Sequence, residues 1–190
     1  MSSVNKSNPN LVFIFSDRQR FDTLRVYGND WIRTPNINAL ADESVVFRNC
    51  YVTQPVCAPA RSSIMTGLYP HTAGVPRNLT AMPPEIQTVA QMVSEDYRTA
   101  YFGKWHLGDE VIRQRGFDEW VSIMDRLYAE YTKPEYIGRF SDYREYLANL
   151  GYEPDLKIPG GKIFSDELRS TLPVEHQQAP FLANNAERFI

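Results

Sequence analysis

Cysteine, long apolar runs and excess positive charge are all scarce in this 190-residue chain. Its two cysteines, Cys50 and Cys57, are too few for a disulfide-stapled fold. The longest early apolar run, Leu11–Phe15, is far too short to cross a bilayer. The 20 Lys and Arg residues are outnumbered by 23 Asp and Glu, so the composition argues against a nucleic-acid binder and against attraction to an anionic membrane.

A secretory leader is also missing from the sequence pattern. The first ten residues, Met1–Asn10, are polar and lack the apolar stretch that such a leader needs. Since the cysteines are then expected to stay reduced, the sequence predicts a soluble cytoplasmic protein. A periplasmic or secreted location stays open for a chain whose leader has been removed.

Apolar runs and helical segments alternate along the first half of the chain. Strands are expected at Leu11–Phe15, Val45–Val52 and Tyr97–Phe102, the first as a strand buried on both faces with Asp17 just beyond its carboxyl end. Helices are expected to begin at Thr34-Pro35, at Pro59 and at Pro84. This order predicts an α/β fold with a mostly parallel central sheet flanked by helices.

The end of the chain has helical periodicity as well. Leu182, Ala186, Phe189 and Ile190 share one helical face, and no capping residue follows them. The sequence is therefore expected to stop inside a helix, as a truncated domain would.

The densest chemical motif is Pro55-Val-Cys57-Ala-Pro59-Ala-Arg61, which continues to Thr66-Gly67. It resembles the Cys-x-Pro-x-Arg signature of the sulfatases, formylglycine-dependent members of the alkaline-phosphatase-like superfamily. Further blocks follow the order of that family: Asp17, Thr34-Pro-Asn36, Gly67-Leu-Tyr-Pro-His71 and Gly103-Lys104-Trp-His106. The resemblance covers residues 8–120 well and 121–190 weakly. It identifies residues 1–190 as the amino-terminal part of a sulfatase catalytic domain, with the alkaline-phosphatase-like sandwich incomplete in this chain.

The resemblance implies a catalytic role for four residues. Cys57 would be oxidised to formylglycine (3-oxoalanine) by a separate formylglycine-generating enzyme that reads the linear motif. Arg61, one helical turn later, would hold the formylglycine, Lys104 would bind the sulfate oxygens, and His106 would hydrogen-bond the nucleophile or the substrate. If Pro59 starts a helix, Cys57 lies at a helix N-terminus, which favours anions. Lys104 and His106 are expected to point to one side of an extended segment.

A divalent metal is implied by the same resemblance, with Asp17 and the modified Cys57 as ligands. A carboxylate suits Ca²⁺ best, with Mg²⁺ or Mn²⁺ as alternatives. Arg18 departs from the family pattern, which has Asp or Gln there, because Arg cannot bind a cation. Either the metal has fewer ligands, or Gln19 substitutes, or metal binding is weaker. In family members the remaining metal ligands lie in a later part of the sequence, so this chain alone is expected to be inactive.

The spacing Asp17-x-x-Arg20-x-Asp22 resembles the branch of choline sulfatases and phosphonate monoester hydrolases. Asn78 matches a substrate-binding Asn of that branch, although it is equally well explained as a turn residue. The leading function is hydrolysis of small-molecule or carbohydrate sulfate esters. The alternatives are a phosphonate or phosphate ester hydrolase with the same nucleophile, and an inactive fragment that acts at most as a binding module.

Overall fold

A computed structural model describes residues 8–125, 128–153, 157–158, 161–162 and 172–190 of the chain. The chain divides into two compact units, residues 1–51 and residues 52–190. Residues 1–7, part of the segment predicted not to be a leader, lie outside the described residues. None of the helices described is both long and apolar enough to traverse a bilayer.

The first unit contains one α-helix within residues 8–51, the part of it that the structure describes. Two short 3₁₀ turns, Phe21–Thr23 and Arg25–Tyr27, precede helix α1, Pro35–Asp42. Proline is favoured at the first helical position, because its fixed φ suits the helix and its missing N–H is not needed there. The helix predicted at Thr34-Pro35 is confirmed.

The strands predicted at Leu11–Phe15 and Val45–Val52 were wrong for this structure, because neither segment forms a strand. The five side chains of the first segment are between 41% and 85% exposed. A strand exists only where its backbone N–H and C=O groups find a neighbouring strand. Within the described part of this unit no other strand is available to pair with them.

The second unit begins with helix α2, Cys57–Thr66. Pro59 lies in its first turn, where a missing N–H removes no helical hydrogen bond. The helix ends at Gly67, whose φ of 72° is the left-handed conformation that glycine adopts without strain. The helix predicted around Pro59 is confirmed.

The amphipathic helix expected from Pro84 was largely wrong. Only the four residues Val89–Met92, helix α3, are helical. The N–H of Thr88 donates to the Gln91 side chain at 3.0 Å, so Thr88 caps this helix, which begins at Val89 and not at the proline.

Strands β1, Ala100–Gly103, and β2, Glu119–Ser122, form a parallel pair in which Ala100 lies opposite Glu119. Helix α4, Asp142–Asn149, contacts β2, and helix α5, Gln178–Phe189, contacts β1. A parallel pair with helices packed on it confirms the α/β class.

The strand expected at Tyr97–Phe102 starts three residues later, and the predicted final helix is α5. Two-residue strands β3, Lys157–Ile158, and β4, Gly161–Lys162, form an antiparallel pair.

The main hydrophobic core of this unit includes two residues of the segment that follows β1. Trp105 and Leu107 are each 1% exposed and pack with other buried apolar residues: Ala58, Val75, Met82, Ala90 and Phe117. The Tyr101 ring stacks on Trp120 with 4.9 Å between centroids. Because both neighbours of His106 belong to this core, the backbone at residues 105–107 is firmly held.

Candidate active site

Cys57 is the first residue of α2 and is half-buried. The next residue, Ala58, donates its backbone N–H to Oδ1 of Asn78 at 2.9 Å. The loop that carries Asn78 is therefore bound to the first turn of the helix. The predicted placement of Cys57 at a helix N-terminus is confirmed, and that position favours a negatively charged ligand.

Arg61 lies one turn further along α2 and is only 5% exposed. Its Nη1 donates to the backbone carbonyl of Lys104 and to the hydroxyl of Tyr101. The Tyr101 hydroxyl also donates to the Lys104 carbonyl. Burial raises the pKa of Tyr101 to about 12, so this hydroxyl keeps its proton at neutral pH. A buried guanidinium thus joins the helix that begins at Cys57 to the end of β1.

The segment Gly103–His106 turns where the sequence predicted an extended run. His106 has a φ of 60°, which is left-handed, so the alternation expected between Lys104 and His106 does not hold. Lys104 is half-buried, whereas His106 is 6% exposed. The two side chains occupy different environments, one partly in solvent and one inside the protein.

Two buried glutamates surround His106. Oε1 of Glu130 lies 3.1 Å from His106 Nε2, and Oε2 of Glu110 accepts the backbone N–H of His106 at 3.2 Å. Oε1 of Glu130 also accepts the N–H of Leu79 at 3.1 Å. Burial raises the pKa of Glu110 to about 7; the His106 N–H opposes this rise and the nearby Glu130 carboxylate adds to it.

Neither glutamate was predicted from the sequence. Glu110 directly follows Asp109 and Glu130 stands between apolar residues; both lie outside the recognisable motifs, and acidic residues are usually solvent-exposed. Their importance is visible only in the structure, where Glu110 is 2% and Glu130 is 1% exposed.

Hydrogen bonds connect the predicted site residues of this unit into one network. Asn78 binds the helix of Cys57, Arg61 binds the carbonyl of Lys104, and Glu130 joins the residue after Asn78 to His106. The structure therefore brings together residues from three separate stretches, 57–61, 78–79 and 104–106. The chemical role of each residue remains a prediction.

Asp17 belongs to the first unit and is exposed, beside Arg18 with a φ of 56°. Arg20 and Asp22, the other residues of that spacing, pair with each other at 2.6 Å. Among the residues that the structure describes, no three His, Cys, Asp or Glu side chains cluster closely enough to hold a metal. Asp17 has suitable chemistry for Ca²⁺, but Ca²⁺ needs six to eight oxygen ligands, so these residues alone do not form a metal site.

Replacing Glu110 with glutamine is expected to change the pH dependence of stability. Because the folded-state pKa of Glu110 is about 7, above its ordinary value of 4.5, its contribution to stability is complete below pH 4.5 and is lost as the pH rises through 7. That loss is about 3 kcal/mol, because each unit of difference between the folded and unfolded pKa corresponds to about 1.36 kcal/mol. Thermal unfolding should therefore show the stability of Glu110→Gln rising relative to that of the wild type between about pH 4.5 and about pH 7, with a constant difference at higher pH.

Glu135→Gln is the matched control, because Glu135 is exposed and should follow the wild-type curve throughout. Parallel curves for Glu110→Gln and the wild type would show that Glu110 does not carry a buried charge at high pH.

In this α/β unit a cysteine begins a helix whose buried arginine binds the backbone of a lysine, and a buried histidine lies two residues after that lysine. Comparison with known proteins makes the assignment specific. The sulfatase family profile matches residues 9–182, and the chain belongs to the sulfatase family.

Individual relatives cover the chain to different extents. An ulvan-active sulfatase of Formosa agariphila is 38% identical over 125 residues, which is 62% of this chain and 24% of that protein. An N-acetylglucosamine-6-O-sulfatase of Bacteroides thetaiotaomicron is 30% identical over 178 residues, which is 90% of this chain and 30% of that protein. A solved structure with bound D-glucosamine-2-N,6-O-disulfate has 34% identity and a TM-score of 0.48, covering 53% of this chain and 20% of that one. The chain thus spans under a third of each relative.

Proposed function

We propose that the complete protein containing this chain hydrolyses sulfate monoesters and that Cys57, converted to formylglycine, provides the nucleophile. One observation carries the proposal: Cys57 begins α2 while Arg61, one turn behind it, is buried and bound to the backbone of Lys104. The helix N-terminus and Arg61 are both of positive character, and Arg61 holds the backbone that carries a third positive group, the Lys104 ammonium; this supports an anion site at Cys57.

The residues of this chain would favour an anionic transition state without needing to move. A sulfate ester carries negative charge, and fixed positive groups lower the barrier most when they are already in place. Arg61 meets this condition, because two acceptors hold one of its guanidinium nitrogens in a buried site. Lys104 would neutralise sulfate oxygens, and Asn78 would contact the substrate near the first turn of α2. When Cys57 is oxidised, its hydrated aldehyde supplies the attacking hydroxyl and a second hydroxyl that permits release of sulfate.

A divalent cation, Ca²⁺ in the first instance, is part of the proposal for the complete protein. Asp17 and the modified Cys57 would provide ligands, and further oxygen ligands would come from outside the described residues. The chemistry of a carboxylate supports Asp17 in this role.

Sulfated carbohydrates are the substrate class that we propose. The support comes from relatives with names that refer to carbohydrates, ulvan and N-acetylglucosamine, and one of these aligns with 90% of this chain. A phosphonate or phosphate monoester hydrolase is the second candidate. It is favoured by the sequence spacing of Asp17, Arg20 and Asp22, since tetrahedral oxyanions of sulfur and phosphorus need similar sites.

The test uses the complete protein, produced together with a formylglycine-generating enzyme. Mass spectrometry of the peptide that contains Cys57 should show the aldehyde. Sulfate release from 6-O-sulfated N-acetylglucosamine should then exceed phosphonate release from a phenylphosphonate monoester. Faster phosphonate hydrolysis would favour the second candidate. An unmodified thiol and no turnover of either substrate would indicate a non-catalytic binding module.

A further inference from the structure

We propose that Glu130 is a positioning residue that orients His106 and fixes the backbone beside Asn78 for the reaction. The proposal deepens the proposed sulfatase function and rests on it for its catalytic meaning. Its structural basis is that one buried carboxylate oxygen contacts two separate loops, each of which carries a predicted site residue.

The first contact is with the imidazole ring. Oε1 of Glu130 lies 3.1 Å from Nε2 of His106, and the two side chains are 1% and 7% exposed. A carboxylate bound to one ring nitrogen fixes the orientation of the imidazole and makes that nitrogen the proton donor. Nδ1 of His106 has no hydrogen-bond partner among the described residues, so it is the nitrogen left for a group in the site.

The second contact is with the backbone of the loop that binds α2. Oε1 of Glu130 accepts the N–H of Leu79, which directly follows Asn78. Leu79 and His106 each have a φ of 60°, a left-handed conformation that is unfavourable for a residue with a side chain. Backbone strain of this kind persists where surrounding contacts hold it, and Glu130 contacts both strained residues.

The backbone of Glu130 is itself held close to the segment after His106. A Cβ added to Gly108 would come within 2.9 Å of the Glu130 carbonyl oxygen and 2.8 Å of the Ala81 Cβ. Only glycine permits this approach, and its φ of 97° also suits glycine alone. Among the residues that the structure describes, the Glu110 carboxylate contacts His106 through the backbone N–H and Glu130 contacts the ring, so the orientation of the ring depends on Glu130.

The kinetic test compares Glu130→Gln, His106→Ala and the double variant in the complete, oxidised protein. Glu130→Gln keeps the size of the side chain and an acceptor for Leu79 but removes the charge. We expect kcat to fall roughly tenfold or more, because His106 is no longer held by a charged partner. KM should stay within about twofold. In the His106→Ala background Glu130→Gln should have no further effect on kcat, whereas independent, multiplicative losses would overturn the proposal.

The substitution Leu79→Gly distinguishes a positioning role of Glu130 from a purely structural one. Leu79 is 55% exposed, and glycine adopts the φ of this position freely. Glu130→Ala should lower both Tm and kcat. Adding Leu79→Gly should recover part of the Tm and leave kcat low. Recovery of kcat together with Tm would mean that Glu130 only supports the loop, which would overturn the proposal.

Nitrogen NMR of the His106 ring gives a readout that needs no turnover. The wild type should show a proton fixed on Nε2, and Glu130→Ala should lose that preference. If no sulfate ester is hydrolysed but this change is seen, the proposed function fails and the positioning by Glu130 stands. If the enzyme is active and the ring signal is the same in both proteins, the positioning proposal fails.

Discussion

Replacement of Cys57 by alanine is expected to abolish sulfate ester hydrolysis by the complete protein. Alanine cannot be converted to an aldehyde, so the nucleophile is lost while Arg61 and Lys104 remain in place. Removal of a covalent nucleophile lowers kcat on the order of 10⁴-fold or more in enzymes of comparable design. The measurement is kcat/KM with a sulfated sugar, together with Tm to confirm that the variant folds.

Cys50→Ala is the matched control, because Cys50 is the other cysteine of the chain and is exposed. It should retain wild-type activity. Residual activity of Cys57→Ala above about 1% of the wild type would contradict a nucleophile made from Cys57.

Replacement of Arg61 by lysine should have the second-largest effect on the reaction. Nη1 of Arg61 donates to two acceptors, the Lys104 carbonyl and the Tyr101 hydroxyl, and the residue is 5% exposed. The ammonium of lysine is more strongly hydrated and lacks the planar set of N–H donors of a guanidinium. Burying it costs more free energy, and it cannot form the same two hydrogen bonds. We expect kcat/KM to fall on the order of 10²–10³-fold. Unfolding should become easier by about 2–3 kcal/mol.

Arg139→Lys provides the comparison for this change. Arg139 is exposed and lies over the Tyr136 ring at 5.3 Å, away from the hydrogen-bond network of the site. Its replacement should alter stability by less than about 0.5 kcal/mol and leave the kinetics unchanged. Equal losses in the two variants would show that the Arg61 effect is a general response to arginine replacement.

The parts of the structure that could be predicted are those decided by neighbours in sequence. Helix α2 follows from Pro59 in its first turn and Gly67 at its end, and the one-turn spacing from Cys57 to Arg61 follows from the helix. The predicted strand end at Phe102 lies one residue before the observed end of β1 at Gly103, since the glycine that follows the apolar run marks it. These features depend on residues a few positions apart.

The parts that failed depend on distant residues. Leu11–Phe15 has the composition of a buried strand, but composition does not supply the neighbouring strand that its backbone requires. Glu130 lies 51 residues from Leu79, its partner in the network, and no local pattern marks either residue as important. The left-handed backbone of His106 was equally unpredictable, because a histidine carries no preference strong enough to indicate it.

The burial of α2 would set a time limit on the proposed oxidation of Cys57. Ala58 is 0% and Arg61 is 5% exposed, so the folded helix hides most of the Cys-x-Pro-x-Arg segment. An enzyme that reads this segment as an extended peptide can act only before the helix packs. The proposed oxidation of Cys57 would then compete with folding of the chain, and a molecule that folded first would keep the unmodified thiol. The active fraction of a preparation would therefore depend on how slowly the newly made chain folds, even when every molecule has the same sequence and the same final structure.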